Sequence, residues 1–348
     1  IDRRIILQIP GKNTLPHDIY MGTGAYNEKT GRAIMDKNPV ISVVVPCHNE
    51  ADCIGAFIER LRRVFADLPD YGLELVFVND GSTDNTLEIL EQRLEKDPEI
   101  VIVDLSRNFG KEAALSAGLQ QASGDAAIPM DADLQDPPEL VPQMLQKWRE
   151  GYDVVLAHRQ SRAEDSLAKR LSARWFYRLH NLFSQPGLPE NVGDFRLLDR
   201  RVINALQMLP ENCRFMKGIF AWLGFRTASI DYDRPARIAG RSKFPAWKLW
   251  NFAMEGLTSF STAPLRVWTY IGAFFALLAF VHASIIFWRT IFFGVDLPGY
   301  ASLLVAITFF SGLQLMGIGI IGEYLGRTYL EAKRRPIFII RKVYRGEK

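Results

Sequence analysis

Residues 126–136 join a short apolar run to a cluster of acids, AAIPMDADLQD. If the chain stays extended beyond the run, Asp131, Asp133 and Gln135 point the same way, because side chains alternate across a strand. Two carboxylates and one amide oxygen then converge, and such hard oxygen ligands suit Mg²⁺ or Mn²⁺. A metal held by few protein ligands completes its coordination with substrate phosphates. The segment therefore predicts chemistry on a phosphate-bearing substrate.

A second Asp-x-Asp shows how little the spacing alone indicates. Asp231-Tyr232-Asp233 has the same spacing but runs into Arg234-Pro235-Ala236-Arg237. Carboxylates in that setting are expected to pair with arginine. The first copy differs because it follows a strand of small apolar residues, the position from which a strand delivers side chains to a ligand.

The elements that must position these acids alternate along the chain from Val40. The predicted strands are Val40–Pro46, Glu74–Asn79, Ile100–Leu105 and Ala126–Met130, and the predicted helices are Ala51–Ala66, Thr83–Glu95 and Lys111–Gln121. This alternation predicts a mostly parallel, Rossmann-like sheet covered by helices on both faces. Ligands of such sheets bind at the carboxyl ends of the strands.

All four predicted strands end in polar or ionisable residues. The strand ends are PCHNE at 46–50, NDGSTD at 79–84, SRNFGK at 106–111 and DAD at 131–133. Glu50 and Asp80 can accept hydrogen bonds from a base and a ribose, and Lys111 near a helix start can pair with phosphate. Neither a Walker-type loop nor a Gly-x-Gly-x-x-Gly loop is present, which argues against an ATPase or a dinucleotide enzyme.

Charge and cysteine content narrow the function classes further. The chain has 348 residues and a net charge of +3, which is too small to favour nucleic acid as a partner. The three cysteines, Cys47, Cys53 and Cys213, have neither disulfide nor zinc spacing. They indicate a reducing compartment and are expected to behave as small apolar residues.

Two stretches near the C-terminus predict membrane association. Residues 267–288 and 297–322 contain no Asp, Glu, Lys or Arg. Each is long enough for the roughly 20 apolar residues that a membrane-crossing helix needs. Aromatic residues near their ends, such as Trp268 and Tyr300, favour two membrane spans over two buried helices of a soluble core.

Basic residues flank this pair on both outer sides. They are Arg237, Arg241, Lys243 and Lys248 before the first span and the basic tail from residue 327 after the second. The positive-inside bias therefore places the large N-terminal portion and the tail in the cytoplasm. Ahead of the first span, Pro245–Phe260 has large apolar residues at helical spacing, which predicts an amphipathic helix on the membrane surface; packing against the soluble domain is the alternative.

Together these motifs resemble the family 2 glycosyltransferases of GT-A fold. The nearest branch is the polyprenyl-phosphate sugar transferases, which include dolichyl-phosphate mannose synthase and, closest, the bactoprenol (undecaprenyl-phosphate) glucosyltransferases. The segments that carry the resemblance are Val43–Glu50, Val78–Asp84, Arg107–Lys111, Asp131–Pro137, Gly193–Leu197, Phe215–Gly218, Arg237–Phe244 and Gly322–Arg327. The resemblance runs from about Val40 to the tail.

The resemblance implies roles for particular residues. It implies that Asp131, Asp133 and Gln135 hold Mg²⁺ or Mn²⁺ on the donor diphosphate. The implied donor-binding residues are Pro46, Asn49, Glu50, Asp80, Lys111 and Asp131. A lipid phosphate acceptor is largely dianionic at neutral pH, so it needs no general base. The residues implied to orient and hold it are Asp194, Arg196, Arg237, Arg241 and Lys243, and we assign orientation to Asp194.

The predicted activity is an inverting, metal-dependent transfer of a hexose, expected to be glucose from UDP-glucose, to polyprenyl phosphate. Mannose and N-acetylhexosamine donors stay open, as does a homo-oligomeric state. A processive polysaccharide synthase would carry an Arg-Trp pair, whereas Arg237 is followed by Ile238. A non-catalytic scaffold that binds a nucleotide sugar is a third alternative, which a turnover assay would separate.

The predicted domain organisation has five parts. They are an N-terminal extension (1–38), a GT-A glycosyltransferase domain (39–244), an interfacial helix (245–263), a two-helix transmembrane hairpin (264–326) and a basic cytoplasmic tail (327–348). The tail segment Ile337–Tyr344 has a strand-like pattern whose partner the sequence leaves open. The expected location is the plasma (inner) membrane, crossed more than once, with the catalytic domain in the cytoplasm.

Overall fold

The structure is a computed structural model, and it describes residues 26–27, 32–33, 38–159, 192–211, 214, 216–232, 263–293 and 299–346. Contacts divide the chain into two units, Ile1–Asn38 and Pro39–Lys348. In the first unit, the described residues form two short strands, β1 (Tyr26–Asn27) and β2 (Arg32–Ala33), which pair antiparallel.

The second unit is organised around one eight-stranded sheet. Its strands are β3 (Val40–Cys47), β4 (Gly72–Asn79), β5 (Ile100–Leu105), β6 (Ala126–Pro129), β7 (Val154–Arg159), β8 (Val192–Asp199), β9 (Thr227–Tyr232) and β10 (Ile340–Arg345), in the order β10-β5-β4-β3-β6-β8-β7-β9. The four strands predicted from sequence are parallel to one another, whereas β8 and β10 run antiparallel to their neighbours. The sheet is therefore mixed, with a Rossmann-like parallel half.

Helices cover both faces of this sheet. The described helices are α1 (Ala51–Ala66), α2 (Thr86–Leu94), α3 (Lys111–Gln121), α4 (Val141–Arg149), α5 (Arg200–Gln207), α6 (Met216–Leu223), α7 (Ala263–Phe293) and α8 (Tyr300–Ala332). Residues of α1, α2 and α4 share one buried cluster with Val43 and Val45 of β3, and residues of α3, α5 and α6 share another with Val44. A strand buried on both faces explains the nearly continuous valine run.

Close packing of α3 determines where its N-terminus lies. A side chain at Gly118 would collide with Val44 and Val78, so α3 approaches the sheet closely there. Its first residue, Lys111, follows Gly110, whose φ of 96° is a conformation that glycine adopts without strain. The helix therefore begins at the carboxyl edge of the parallel strands.

The helices α7 and α8 pack against each other near the C-terminus. The ring of Phe275 lies 6.0 Å from that of Phe309 and 5.8 Å from that of Phe310. Trp268 occupies the space that a side chain at Gly317 would need. Within the described residues, one helical stretch, Val267–Phe293, is long and apolar enough to cross a membrane, and none of its apolar window is buried.

The tail after α8 returns to the sheet. Strand β10 pairs antiparallel with β5, with Val343 opposite Val103 and Tyr344 opposite Ile102. The strand-like pattern of the tail thus has a partner in its own chain, at the outer edge of the parallel half. The predicted interfacial helix lies outside the described residues.

Candidate active site

The acidic segment after β6 is a turn and not an extension of the strand. The strand ends at Pro129, residues 132–133 form a turn, and Leu134 has a φ of 57°, so the chain does not continue as an extended strand. The expectation that Asp131, Asp133 and Gln135 alternate along an extended strand is therefore wrong. A carboxylate oxygen of Asp133 accepts a hydrogen bond from the Gln135 N–H at 3.1 Å, and this contact forms an Asx turn.

The charges of this turn reach the loop after β3. Burial raises the pKa of Glu50, and the negative charges of Asp133 and Asp131 raise it further. The carboxylates of Asp133 and Asp131 thus disfavour the negative charge of Glu50, and a divalent cation bound nearby would reduce that effect. No group of three or more His, Cys, Asp or Glu among the described residues is arranged to hold a metal. The turn fits a metal whose remaining ligands come from substrate.

Lys111 joins the acidic turn to β8. Its Nζ lies 2.7 Å from an Asp131 carboxylate oxygen and 3.0 Å from one of Asp194. Burial lowers the pKa of Lys111, but attraction to Asp131 and Asp194 outweighs burial and leaves the pKa above its usual range. The lysine predicted to meet a phosphate therefore also holds together the two acids from separate strands.

Asp80 organises the neighbouring loop. It is buried, and its two carboxylate oxygens accept hydrogen bonds from the backbone N–H groups of Phe109 (2.7 Å) and Gly110 (2.9 Å). A side chain at Gly81 would collide with the backbone of Asn108, so the two loops are in direct contact. The structure thus gives Asp80 a loop-holding role, and its contact with a nucleoside stays a prediction.

Asn49 has a similar role between the loops after β3 and β4. Its side-chain amide oxygen accepts a hydrogen bond from the Thr83 N–H at 2.8 Å, and its backbone N–H donates to the Ser82 hydroxyl at 3.1 Å. Its φ of 59° is a conformation in which Asn is among the commoner residues. Pro46 lies two residues beyond Val44, where pairing with β6 ends, so its missing N–H leaves no gap in that ladder.

Arg196 of β8 is buried beside Asp194. Its guanidinium donates to the Gly193 carbonyl at 2.6 Å and lies 4.4 Å from the centre of the Phe220 ring. Burial lowers the pKa of Arg196 to about 10, although Asp194 and Glu112 oppose this effect. Its hydrogen bonds go to backbone carbonyls, and the nearby charges of Asp194 and Glu112 offset only part of the cost of burying the cation.

Three predicted basic residues, Arg237, Arg241 and Lys243, lie outside the described residues. In the second Asp-x-Asp, Asp233 lies outside the described residues, and so do both arginines expected to pair with this motif. Its first acid, Asp231, accepts a hydrogen bond from Nδ1 of His158 at 2.7 Å.

Several contacts at this edge were missed by reasoning from sequence. The Thr86 hydroxyl donates a hydrogen bond of 2.6 Å to the Asp84 carboxylate, and this contact holds residues 80–84 outside α2. The side chain of Cys53 hydrogen-bonds Glu50. His48 lies 3.0 Å from the Asp80 carbonyl. The Ser, Thr and Asp residues before α2 are typical helix-capping residues and could have predicted the first contact. No local sequence pattern predicts the other two.

A mixed sheet with a Rossmann-like parallel half and polar loops at its carboxyl edge is a GT-A-like fold, the fold class of many glycosyltransferases. Comparison with known proteins identifies the family. The family model for glycosyl transferase family 2 matches residues 42–207, and the model for the GtrB C-terminal hairpin matches residues 263–328. The chain belongs to glycosyltransferase family 2 and is a glycosyltransferase.

Named relatives match over most of the chain. The SfII prophage-derived bactoprenol glucosyl transferase of Shigella flexneri is 52% identical over 88% of this chain and 99% of its own. A prophage bactoprenol glucosyl transferase homolog of Escherichia coli K12 is 51% identical over 87% of this chain and 99% of its own. The glucosyl-3-phosphoglycerate synthase of Mycobacterium tuberculosis, solved with Mn²⁺, UDP-glucose and phosphoglyceric acid, is 23% identical with a TM-score of 0.39, over 63% of this chain and 78% of its own.

Proposed function

We propose that this glycosyltransferase transfers glucose from UDP-glucose to a polyprenyl phosphate at the cytoplasmic face of the membrane. The observation that carries the proposal is the bridge of Lys111 between Asp131 and Asp194, because it joins the acidic turn to a second strand at one sheet edge. The relatives named bactoprenol glucosyl transferases support glucose as the sugar and a polyprenyl carrier as the acceptor.

The donor half of the proposed site is the acidic turn and the loops around it. Asp131, Asp133 and Gln135 would hold Mg²⁺ or Mn²⁺, whose charge would stabilise the departing nucleotide. Glu50 and the loops held by Asn49 and Asp80 surround the place for the nucleoside. The repulsion at Glu50 supports this assignment, because a cation bound with the donor would reduce it.

The acceptor half needs positive charge and orientation, and it needs no general base. A phosphate monoester is largely dianionic at neutral pH, so its oxygen is already a nucleophile. Arg196 is buried, and its hydrogen bonds to described residues are to backbone carbonyls; it would hold that phosphate, with Asp194 orienting it. We assign Arg237, Arg241 and Lys243 to the same phosphate.

The helices near the C-terminus support the proposal that the protein is attached to a membrane. The apolar side chains of α7 are widely exposed, and an exposed apolar surface of this extent favours contact with lipid. Residues 297–322 of the second stretch carry no charge, and the GtrB hairpin model spans both helices. We therefore propose two spans at 264–326, an interfacial helix at 245–263 and a cytoplasmic catalytic domain at 39–244.

The test of this function is a turnover assay with the full chain in detergent or vesicles. UDP-glucose, UDP-N-acetylglucosamine and GDP-mannose are each supplied with undecaprenyl phosphate and either Mg²⁺ or Mn²⁺, and the lipid product is identified by mass spectrometry. The proposal expects a monoglucosyl lipid phosphate. A different monosaccharide would change the donor alone, a polymer would favour a processive synthase, and an absence of product with every donor would contradict transfer to this lipid.

Arg196→Met is expected to lose acceptor use without losing stability. Methionine fills similar space without the charge whose burial lowers the arginine pKa, so the thermal midpoint should stay the same or rise. The Michaelis constant for the lipid phosphate should rise by at least about tenfold, since a charge-assisted hydrogen bond contributes about 1.5–3 kcal/mol.

Arg200→Met is the matched control for that substitution. The Arg200 guanidinium also donates to a backbone carbonyl, that of Gly124, and burial also lowers its pKa, but it lies at the opposite edge of the sheet. Its loss should leave the acceptor Michaelis constant unchanged. A normal acceptor Michaelis constant for Arg196→Met would remove Arg196 from the acceptor site.

Lys243→Ala and Arg237→Ala are expected to reduce transfer steeply, mainly through acceptor use. The reason is the same need for cations around a dianionic phosphate. Initial rates over a range of lipid phosphate concentrations check this. An acceptor Michaelis constant and turnover equal to those of the wild type would exclude both residues from the site.

A further inference from the structure

We propose that Arg341, in the strand that follows the C-terminal helices, is a positioning residue for the donor subsite. It acts through the buried carboxylate of Asp104, which links the tail to the loops expected to hold the nucleotide. The inference rests on the proposed function, because it takes those loops to be the donor site. It gives the tail strand β10 a role in substrate binding beyond closing the sheet edge.

The contact between the tail and the sheet is specific. One guanidinium nitrogen of Arg341 lies 3.1 Å from a carboxylate oxygen of Asp104, and the other donates to the Ser106 carbonyl at 2.8 Å. Asp104 is 1% exposed, whereas the Arg341 side chain is half-exposed. The tail therefore supplies the cationic partner of a carboxylate that the sheet buries.

From Asp104 the hydrogen bonds continue into the donor loops. The second oxygen of Asp104 accepts from the Asn79 side-chain amide at 2.8 Å. The side-chain oxygen of Asn79 accepts from the Ser82 N–H at 3.1 Å, and the Ser82 hydroxyl accepts from the Asn49 N–H, also at 3.1 Å. One continuous chain of hydrogen bonds thus joins the tail to the loops after β4 and β3.

A second path leads through the strand end of β5. Ser106, whose carbonyl Arg341 holds, begins the loop that ends at Phe109 and Gly110. The backbone N–H groups of those two residues are bound by Asp80. Arg341 therefore contacts the base of one donor loop directly and reaches the other through Asp104 and Asn79.

Among the described residues, loss of Arg341 would leave Asp104 with the Asn79 amide as its one side-chain hydrogen-bond partner. A buried carboxylate without its cation is strongly destabilised, so Asp104 must turn toward water or take up solvent. Either change releases the Asn79 amide and with it the Ser82 backbone. The loops would then have to be ordered by the nucleotide itself, and nucleotide affinity would fall.

The experiment measures UDP binding to the full-length protein in detergent with Mn²⁺ present, by calorimetry. Arg341→Ala is expected to raise the dissociation constant roughly three- to thirtyfold, the range for residues that couple through a network. Its acceptor Michaelis constant should change less than about twofold. Arg345→Ala is the matched control, because Arg345 lies on the same strand and donates to the Gln121 carbonyl at 3.3 Å, away from the donor loops.

A double-mutant cycle separates positioning from general destabilisation. Asp104→Asn removes the buried charge but keeps an oxygen for the Asn79 amide, so adding Arg341→Ala to it should change the UDP dissociation constant less than about twofold. If Arg341→Ala does not fold, Arg341→Lys keeps the charge, loses the two-pronged contact and should bind UDP with intermediate affinity.

Each outcome separates the inference from the proposed function. Equal losses for Arg341→Ala and Arg345→Ala, full additivity with Asp104→Asn, or wild-type affinity for the folded Arg341 variant would overturn the inference. If the wild-type protein binds GDP and not UDP, the dissociation constants of the Arg341 and Arg345 variants are compared for GDP, with the same expected difference. Wild-type protein that binds neither nucleotide contradicts the proposed donor, and the inference falls with it.

Discussion

Asp133→Ala is expected to lower the rate of sugar transfer by at least about a thousandfold, because a bound metal contributes several kcal/mol of charge stabilisation. Asp133 lies in the turn after β6, and its charge raises the pKa of Glu50, as do those of Asp131 and Asp84. Its side chain is half-buried, and its one hydrogen bond within the turn is to the Gln135 N–H. Its removal should therefore leave the fold and the membrane attachment intact.

Initial rates with lipid phosphate and the nucleotide sugar, together with the thermal midpoint, check this expectation. Asp133→Asn keeps the turn hydrogen bond and should be almost as inactive, which separates the loss of the carboxylate from the loss of the turn. Asp67→Ala, at the exposed C-terminal end of α1, is the control and should transfer sugar normally. Near-normal transfer by Asp133→Ala would refute the metal assignment.

Much of the parallel half of the fold could be predicted from sequence. The bounds of α1, β5 and α3 match the prediction, because each segment has a clear hydrophobic period and ends at a turn or a cap. The start of α2 was wrong by three residues, since Asp84 bonds the Thr86 backbone and hydroxyl. The pairing of β10 with β5 joins residues more than 230 positions apart, and no local pattern encodes that contact.

The sequence predicted that polar residues at four strand ends lie together, and the structure places those strand ends at one edge of the parallel half. That this edge binds substrate stays a prediction. Sequence could not distinguish a side chain that meets substrate from one that holds a neighbouring loop, as Asn49 and Asp80 do. Sequence also could not predict that Lys111 contacts Asp194. That contact depends on β8 pairing antiparallel with β6, and no local pattern encodes this pairing.

Lys111→Met is expected to reduce transfer by about a hundred- to a thousandfold, the cost of losing one preorganised charge in an active site. Methionine keeps the length of the side chain but removes the cation between Asp131 and Asp194. The two carboxylates would then repel each other, and each would lose the contact that positions it. The substitution should disturb both the donor half and the acceptor half of the site, so we expect a lower turnover number as well as weaker donor binding.

The control is Lys147→Met, because Lys147 also pairs with a carboxylate, that of Glu150, but on the surface of α4. It should transfer sugar at the wild-type rate, since exposed pairs contribute little. Lys111→Arg keeps the charge with a different geometry and should retain part of the activity. Turnover equal to that of the wild type in Lys111→Met would show that the bridge has no part in catalysis.

Alkaline pH should not reproduce the effect of that substitution. Because the folded-state pKa of Lys111 is raised, its contribution to stability is complete below the unfolded value and is lost only as pH rises through the folded value. With an unfolded pKa near 10.4, the bridge stays charged across about pH 7 to 9. Wild-type rates that fall over this range would therefore come from another group, and Lys111→Met should show the same relative fall.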